Sequence, residues 1–296
     1  MTANPVVVVG DAIVDAVETD SERRVYPGGA ALNLAVGLKR LGVPSILAAR
    51  IGQDQAGFRL QRYLRDEGVV LLNSRNADFT GVATSRRLDG EPSYSFNPSM
   101  FRRRIAFSTQ LLDAVSKAPA VAVNSFAFDR PGQAERLYHA LRDARGLRIL
   151  DPNVRPALID DLGEFRSGFD RVASRASLIK LSDEDLQLLY GRSDGEIAGR
   201  YLECGVDVVL RTHGRRGASV RTRSGDCATV SAARLDEPVV DTMGGGDATL
   251  AAIIAFLLTE GTPSGEADWR RCLRRAMDVA AATCRSAGAA LVLPTS

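Results

Sequence analysis

The stretch Asp241-Thr-Met-Gly-Gly-Gly-Asp247 constrains the fold of this chain more than any other part of the sequence. The residues Pro238-Val-Val before it predict the end of a β segment, and the apolar residues after it predict a buried helix. Glycine lets the backbone bend tightly and approach a ligand closely. The first N–H groups of a helix have no intrahelical partner, and the helix dipole favours negative charge there. Three glycines at a helix entry therefore predict an anion site that suits a phosphate.

The carboxylate of Asp247 ends this glycine run. An acid beside a phosphate site is electrostatically unfavourable unless it has a function. Accepting the proton of a hydroxyl that attacks the phosphate is such a function. These residues alone leave an alternative open, which is an ordinary glycine-rich turn with Asp247 as the N-cap of the helix.

Composition narrows the class of protein. The 296 residues are 45% hydrophobic and 25% charged, which is typical of a globular protein with one large domain or two small ones. A formal net charge of +2 provides no global field to attract nucleic acid or a membrane, and no apolar run reaches membrane-spanning length. With two histidines, a zinc site is not expected. The four cysteines are widely spaced and predict reduced thiols in a cytoplasmic protein, namely Cys204, Cys227, Cys272 and Cys284.

Short apolar runs alternate with helical patterns and predict parallel strands. These strands are expected at residues 6–9, 45–51, 120–123, 147–150, 178–181 and 206–210. Polar residues follow the ends of most of these runs, among them Asp11, Asp15, Asn124, Arg155, Ser182 and Thr212. Ligands of open α/β sheets bind beyond the carboxyl ends of the strands. The pattern therefore predicts a doubly wound α/β fold, one domain spanning residues 1–296, with one ligand cleft along that edge.

Two further segments depart from a simple strand–helix alternation. Residues 30–41 predict a helix that Gly28 and Gly29 open, and Asn33 lies one turn into it, where its amide can reach back to a ligand. Residues 80–88 and 93–96 predict two antiparallel strands joined by Asp89-Gly90, which would form a small β flap. Asp54 is expected to be the N-cap of another helix. The basic run Arg102–Arg104 is interpreted as a solvated face in preference to a phosphate clamp.

These motifs together resemble the ribokinase-like sugar kinases of the PfkB family over essentially the whole chain. The segment Gly28-Gly-Ala-Ala-Leu-Asn33 resembles the first motif of the family, and residues 241–247 resemble its second motif. Two smaller landmarks are similar as well, at residues 52–57 and 212–217. The resemblance implies an α/β fold with a mostly parallel sheet flanked by helices, and a β lid formed by segments 14–27 and 80–100. In several relatives this lid also forms a dimer interface, so a homodimer is implied.

The family resemblance also implies site roles. Asp247 would be the catalytic base, and the amides of Gly244, Gly245 and Gly246 would form the anion hole. The sugar would be held by Asp15, Gly28, Gly29, Asn33 and Asn124, with Asp11 and Arg155 as further candidates. The nucleotide ATP would contact Lys180, Ser182, Thr212, Gly214 and Gly217. Mg²⁺ would be linked to Asp185 through water, and Asp241 would serve a monovalent-cation site if K⁺ activates this chain.

Two departures from the family pattern concern the phosphate loop and the metal. Gly245 stands where the family usually carries alanine, and we expect activity to survive because the backbone donors remain. Ser182 and Asp185 stand where the family carries Asn-x-x-Glu, so a hydroxyl and a carboxylate remain available for the metal.

The resemblance favours fructokinase-type members, so a neutral, fructose-like hexose is the expected acceptor of the γ-phosphate of ATP. This preference rests on residues 10–15, 93–96 and 151–156. Arg155 is equally compatible with a ligand contact and a structural ion pair. A ribose, nucleoside or 2-keto-3-deoxygluconate kinase remains an alternative, as does a non-catalytic relative that binds sugar or nucleotide.

Overall fold

A strand of consecutive valines, β1, runs through the centre of the fold. The computed structural model describes residues 4–18, 22–74, 79–88, 91–192, 195–233, 239–286 and 288–294. The strands within these ranges are, in chain order, β1 (Val6–Gly10), β2 (Ile13–Glu18), β3 (Arg23–Gly28), β4 (Ser45–Ala49), β5 (Val70–Asn73), β6 (Val82–Leu88), β7 (Glu91–Phe96), β8 (Ala120–Asn124), β9 (Leu147–Asp151), β10 (Leu178–Ser182), β11 (Val208–Thr212), β12 (Ala218–Thr222) and β13 (Cys227–Val230).

The helices follow the strands in the order expected for α/β units. They are α1 (Ala30–Arg40), α2 (Gln55–Asp66), α3 (Thr109–Lys117), α4 (Pro131–Asp143), α5 (Leu162–Ala173), α6 (Asp183–Tyr190), α7 (Glu196–Glu203), α8 (Gly245–Thr259) and α9 (Glu266–Cys284). Asp54 caps α2 as predicted, because its carboxylate accepts a hydrogen bond from the Gly57 N–H. None of the helices in the described ranges is both long and apolar enough to span a membrane.

The main sheet, over the described residues, has nine strands in the order β13-β12-β11-β10-β9-β8-β1-β4-β5. The pairs from β11 to β5 are parallel, and β12 and β13 add an antiparallel edge. From β1 the chain first extends the sheet on one side through β4 and β5. It then returns to the other side of β1 to form β8. The strand order therefore switches between β1 and β8, which is where such sheets bind ligands.

Helices cover both faces of this sheet. Val6 and Val8 pack into one core together with α1, α8 and α9. Val7 and Val9 point into the second core, which α4 and α5 cover. Because side chains alternate across a strand, a run of four valines fills both cores at once. The predicted doubly wound α/β fold is confirmed.

A second, smaller sheet has the order β3-β2-β6-β7. The predicted antiparallel pairing of β6 with β7 is confirmed, and the Asp89-Gly90 connection lies outside the described residues. Residues 26–28 end β3, which pairs with β2. The one parallel pair of this sheet, β2 with β6, joins segments that lie far apart in the sequence.

The β segment expected just before the glycine run is not present in the described residues there. Val239 and Val240 are exposed by 51% and 61% and belong to no strand, and Pro238 lies outside the described residues. Their backbone is instead tied to α9, where the carbonyl oxygen of Cys284 accepts a hydrogen bond from the Val240 N–H. An apolar pair of residues alone was too short a signal for a strand.

Candidate active site

The three glycines form the turn that starts helix α8. Gly244 is the N-cap and has a left-handed backbone with φ of 77°, a conformation that favours glycine. A Cβ at this position would also lie 2.3 Å from the carbonyl oxygen of Ala289. Gly245, Gly246 and Asp247 form the first turn of the helix. The helix start predicted at the glycine run is therefore confirmed, and the binding of an anion there stays a prediction.

The carboxylate of Asp247 is 7% exposed and is held by two amide side chains. The Nδ2 atom of Asn33 donates to its Oδ2 at 3.0 Å, and the Nδ2 atom of Asn124 donates to its Oδ1 at 2.9 Å. Burial raises the pKa of Asp247, while the hydrogen bond from Asn33, the charge of Lys180 and the hydrogen bond from Asn124 oppose that rise. The result is a fixed, buried carboxylate with both oxygens oriented.

A buried ion pair lies beside the glycine turn. The Lys180 Nζ atom is 2.8 Å from the Asp151 Oδ2 atom, and both side chains are almost fully buried. Burial raises the pKa of Asp151 to about 6. The same Nζ atom lies 3.4 Å from where a Cβ on Gly246 would be. Lys180 thus places a positive charge next to the N-terminus of α8.

A cleft of about 460 Å³ opens in front of Asp247, between the main sheet and the smaller sheet. Its walls carry apolar side chains, including those of Ile13, Phe96 and Met100. Polar groups converge on the same space, and those predicted from the sequence are Asp11, Asp15, Gly29, Asn33, Arg155, Gly244 and Asp247. A mostly apolar cleft with a few converging polar groups is typical of a small-molecule site.

Asp15 on β2 faces this cleft. Burial, followed by the charge of Asp247, raises its pKa to about 6, and Arg155 opposes the rise. Gly28 lies against this side chain, since a Cβ there would be 1.9 Å from the Asp15 Oδ2 atom. Gly29 has a φ of 98°, and a Cβ there would meet the Asp11 carbonyl oxygen at 2.5 Å. The two glycines therefore allow α1 to start directly beside both aspartates.

Asp11 is already partnered in this structure. Its Oδ2 atom accepts hydrogen bonds from Arg103 Nη1 at 2.7 Å and from Ser125 Oγ at 3.0 Å. The interpretation of the Arg102–Arg104 run as a solvated face is wrong for Arg103, because its side chain is 10% exposed and forms this ion pair. Arg102 and Arg104 on either side of it are exposed.

Asn124 lies behind Asp247 rather than on the wall of the cleft. It is fully buried, and its Oδ1 atom accepts a hydrogen bond from Asn153 Nδ2 at 3.3 Å. Its contacts favour the positioning of Asp247 over a direct sugar contact.

Arg155 is exposed at the cleft and forms no ion pair with any of the described residues, so the ligand contact is the alternative that the geometry supports.

Ser182 and Asp185 form a capping box at the start of α6. Asp185 Oδ2 accepts from the N–H and the Oγ of Ser182, and its Oδ1 accepts from the Val154 N–H at 2.8 Å. A carboxylate offers about four acceptor sites, so about one remains for a water-linked metal. Across the described residues no cluster of three acidic, histidine or cysteine side chains could hold a metal by itself.

The remaining nucleotide candidates lie at the end of β11. Thr212 pairs in register with Ser182 of the neighbouring strand, which places both at the carboxyl edge of the sheet. Gly214 and Gly217 have φ of 55° and 104°, and a Cβ on Gly217 would lie 2.1 Å from the Val230 carbonyl oxygen.

Asp241 accepts hydrogen bonds from the N–H groups of Met243 and Gly288. These carboxylate contacts hold the glycine loop against the end of α9.

Sequence reasoning missed several residues of the site. Ser125 and Asn153 both have positive φ, of 56° and 43°, which is uncommon outside glycine. Ser125 follows β8 and donates to Asp11, which lines the cleft. Asn153 follows β9 and donates to Asn124, which holds Asp247. The strand-end position was a usable signal, but their backbone conformation was not readable from the sequence.

Comparisons with known proteins identify the family and the fold of this chain. Residues 3–296 match the family model described as pfkB family carbohydrate kinase. A fructokinase from Klebsiella pneumoniae is 31% identical over 97% of this chain and 95% of its own length. An aminoimidazole riboside kinase from Salmonella typhimurium (strain LT2) is 32% identical over 86% of this chain and 81% of its own. A crystal structure of fructokinase from Vibrio cholerae O395, in its fructose, ADP and calcium ion bound form, matches with a TM-score of 0.78 at 24% identity, and covers 98% of this chain and 96% of that one.

The chain belongs to the pfkB family of carbohydrate kinases. Its fold is that of the ribokinase-like members, as the sequence motifs indicated. It is therefore a sugar kinase, a phosphotransferase with an alcohol group as acceptor.

Proposed function

We propose that this enzyme transfers the γ-phosphate of ATP to a hydroxyl of a neutral, fructose-like sugar bound in the 460 Å³ cleft. The observation that carries the proposal is the position of Asp247. Its carboxylate is buried, reaches the cleft, and lies in the first turn of the helix whose glycine turn is proposed to bind the phosphate. Proton acceptor and phosphate site are thus built on one rigid element.

Asp247 accepts the proton of the attacking hydroxyl. Asn33 and Asn124 fix both oxygens of the carboxylate, and their N–H donors favour its ionised form. The sugar lies against Asp15, Gly29 and Asn33, with the hydroxyl to be phosphorylated directed at Asp247. General base catalysis of this kind contributes roughly 10²–10⁴-fold to the rate.

The N–H groups of Gly244, Gly245 and Gly246 receive the transferring phosphoryl group. Donors that point to where charge develops are most effective when water is excluded. Lys180 adds a nearby positive charge, and its own charge is stabilised by Asp151. ATP would reach this turn along the carboxyl edge of the sheet, past Ser182, Thr212, Gly214 and Gly217.

The donor set at this edge fits a magnesium ion that is bound chiefly by phosphate oxygens and water. Mg²⁺ keeps several waters and rarely uses an all-protein cage. The acceptor site left on Asp185 would meet one of those waters. When bound, the ion neutralises charge on the phosphates as transfer proceeds.

The smaller sheet is proposed to act as a lid that covers the sugar. Ile13, Asp15, Ala83 and Phe96 of this sheet line the cleft. Exclusion of water by closure would protect ATP from hydrolysis. We also propose a homodimer through this lid and activation by K⁺ near Asp241, both on the basis of the family pattern. A cytoplasmic location is proposed from the cysteine content.

An ADP-release assay across a panel of acceptors tests the substrate. The panel contains fructose, other hexoses, ribose, aminoimidazole riboside, other nucleosides and 2-keto-3-deoxygluconate, each with Mg²⁺ and with or without K⁺. We expect the highest kcat/KM for fructose or a close neutral analogue. A higher kcat/KM for a nucleoside would move the assignment to that class, which Phe96 on the cleft wall could serve by stacking on a base. Absence of turnover on every acceptor would favour a binding protein.

A further inference from the structure

A second pocket of about 540 Å³ lies outside the sugar cleft. Five arginines line it, together with two phenylalanines and a few small or polar residues: Arg50, Arg102, Arg104, Arg130, Arg136, Phe79, Phe101, Ser74, Ser99, Ile105, Ala106 and Gln133. Among the described residues that line this pocket, none is acidic. Residues 75–78, next to Ser74, lie outside the described part of the chain and are not included in the site.

Acidic side chains among the described residues neutralise only part of the positive charge of this arginine pocket. Arg130 forms an ion pair with Asp160, and Arg50 donates to the Ser99 carbonyl oxygen at 3.3 Å, so both of these guanidinium groups have partners. Among the described residues, none forms a hydrogen bond or ion pair with the side chains of Arg102, Arg104 or Arg136, and all three are exposed. Three exposed guanidinium groups around one concave surface repel one another in a way that water and salt screen, and an anion bound among them would relieve the repulsion that remains.

The walls of the arginine pocket are held in place by buried contacts. The side chain of Gln133, which is 4% exposed, accepts from the Ile105 N–H at 2.7 Å and donates to the Ile105 carbonyl oxygen at 3.2 Å. The Ser74 Oγ atom accepts from the Ala106 N–H at 2.8 Å. The backbone that carries Arg104 is therefore fixed on its C-terminal side by α4 and by the residue that follows β5. Arg104 therefore extends from backbone that these hydrogen bonds hold in place.

The arginine pocket is separate from the sugar cleft. Between the two lies a cavity of about 20 Å³, and Arg103 lines it and pairs with Asp11. Arg103 lines the small cavity and pairs with Asp11 of the cleft wall, whereas Arg102 lines the arginine pocket and Arg104 lies between the arginine pocket and the small cavity. The two sites share a backbone segment but not their charged groups.

We propose that the arginine pocket binds a phosphorylated small molecule that carries at least two negative charges. Arginine matches phosphate geometry with paired N–H donors, which makes it the preferred side chain for this chemistry. The exposed rings of Phe79 and Phe101 would cover the less polar part of such a ligand. The volume suits a small molecule, and a net charge of +2 for the chain does not favour an extended polyanion.

Calorimetric titration of the whole enzyme tests this proposal with three probes: inorganic pyrophosphate, AMP and fructose 1,6-bisphosphate. The pocket variant carries Arg102→Gln and Arg104→Gln together. The control variant carries Arg166→Gln and Arg274→Gln, which remove the same charge from exposed positions elsewhere. We expect roughly tenfold weaker binding of at least one probe to the pocket variant alone, since each charge-assisted hydrogen bond is worth about a factor of ten. Tighter binding of AMP would indicate a nucleotide as the ligand, and tighter binding of fructose 1,6-bisphosphate would indicate a sugar phosphate.

Residue-level protection in the unmutated enzyme gives a second readout that does not depend on a variant folding. Arginines are modified with phenylglyoxal, with and without each probe, and the modified sites are read by mass spectrometry. Binding predicts slower modification of Arg102, Arg104 and Arg136, with Arg166 and Arg274 unchanged. Equal affinities in all three proteins, or modification rates of the pocket arginines that stay the same with and without every probe, would overturn the proposal.

Discussion

Asp247 depends on two amides that come from distant parts of the chain. Asn33 lies 214 residues before it and Asn124 lies 123 residues before it, yet each donates to a different oxygen of its carboxylate. Asn124 is fully buried, so its amide donates to Asp247 without competition from bulk water. This geometry gives Asn124 a testable role in setting the protonation of Asp247.

We predict that Asn124→Ala shifts the acidic limb of the kcat–pH profile to higher pH. The lost hydrogen bond no longer favours the ionised carboxylate, so the pKa of Asp247 rises further above its ordinary value. The base is then protonated, and inactive, over a wider acidic range. The matched control is Asn97→Ala, which removes an amide bound to the Thr80 backbone instead. An unmoved acidic limb in Asn124→Ala would show that the amide does not tune Asp247.

Gly245 differs from the alanine usual in the family, and the structure gives a local reason. A Cβ on Gly245 would lie 3.1 Å from the Cys284 Sγ atom, so one of the two groups must shift. Alanine in place of Gly245 would make the loop more rigid before it is ordered, a gain of roughly 0.5–1 kcal/mol. The contact with Cys284 opposes that gain.

We therefore predict that Gly245→Ala is tolerated better when Cys284 is also made smaller. The single variant is expected to lose roughly 1 kcal/mol of unfolding free energy through overcrowding, and Gly245→Ala with Cys284→Ala is expected to recover it. Urea denaturation of the wild type, both single variants and the double variant gives the coupling energy. Additive effects, with no recovery, would mean that the sulfur atom moves aside without cost.

At the scale of the elements, most of the main sheet could be predicted because its signals are local. Runs such as Val6–Val9 place strands, glycines end helices, and Asp54 caps α2 as expected. The pairing of β2 with β6, by contrast, joins segments separated by many residues and had no local signal. The same limit applies to the site: strand-end aspartates were predicted, but the pairing of Arg103 with Asp11 across 92 residues was not. Long-range contacts depend on packing, which a single sequence does not display.

The smaller sheet carries a prediction about movement. If β2, β6 and β7 form a lid, sugar binding should slow amide hydrogen exchange in these strands, while β10 in the main sheet stays unchanged. The physical reason is that Asp15, Ala83 and Phe96 face the sugar and become part of its enclosure. Exchange measured by mass spectrometry with and without sugar tests this. Equal exchange in β2 and β6 in both states would argue against a lid.

At the scale of the whole molecule, the site lowers the stability of the fold. Burial and the charge of Asp247 raise the pKa of Asp15 to about 6. The native state therefore holds this proton more tightly than the unfolded chain does. For this group the free energy of unfolding falls as pH rises from about 4 to about 6, and above that range the full cost of the buried charge remains.

Asp15→Asn is predicted to be more stable than the wild type at about pH 8 by roughly 1–3 kcal/mol, and to lose this advantage at about pH 4. The same variant should bind sugar more weakly, because a charged acceptor is lost. Denaturation at both pH values, with the exposed Asp66→Asn as control, measures the difference. A stability difference that does not change with pH would contradict the role of the Asp15 charge.

The central claim is that Asp247 acts as the base of a sugar kinase, and its replacement by asparagine tests that claim most directly. The variant keeps the shape of the side chain but exchanges one acceptor for a donor, so its fold is first checked by thermal unfolding. We predict that Asp247→Asn lowers kcat by roughly 10²–10⁴-fold while calorimetry shows sugar binding largely retained. A folded variant with a near wild-type kcat would contradict the account.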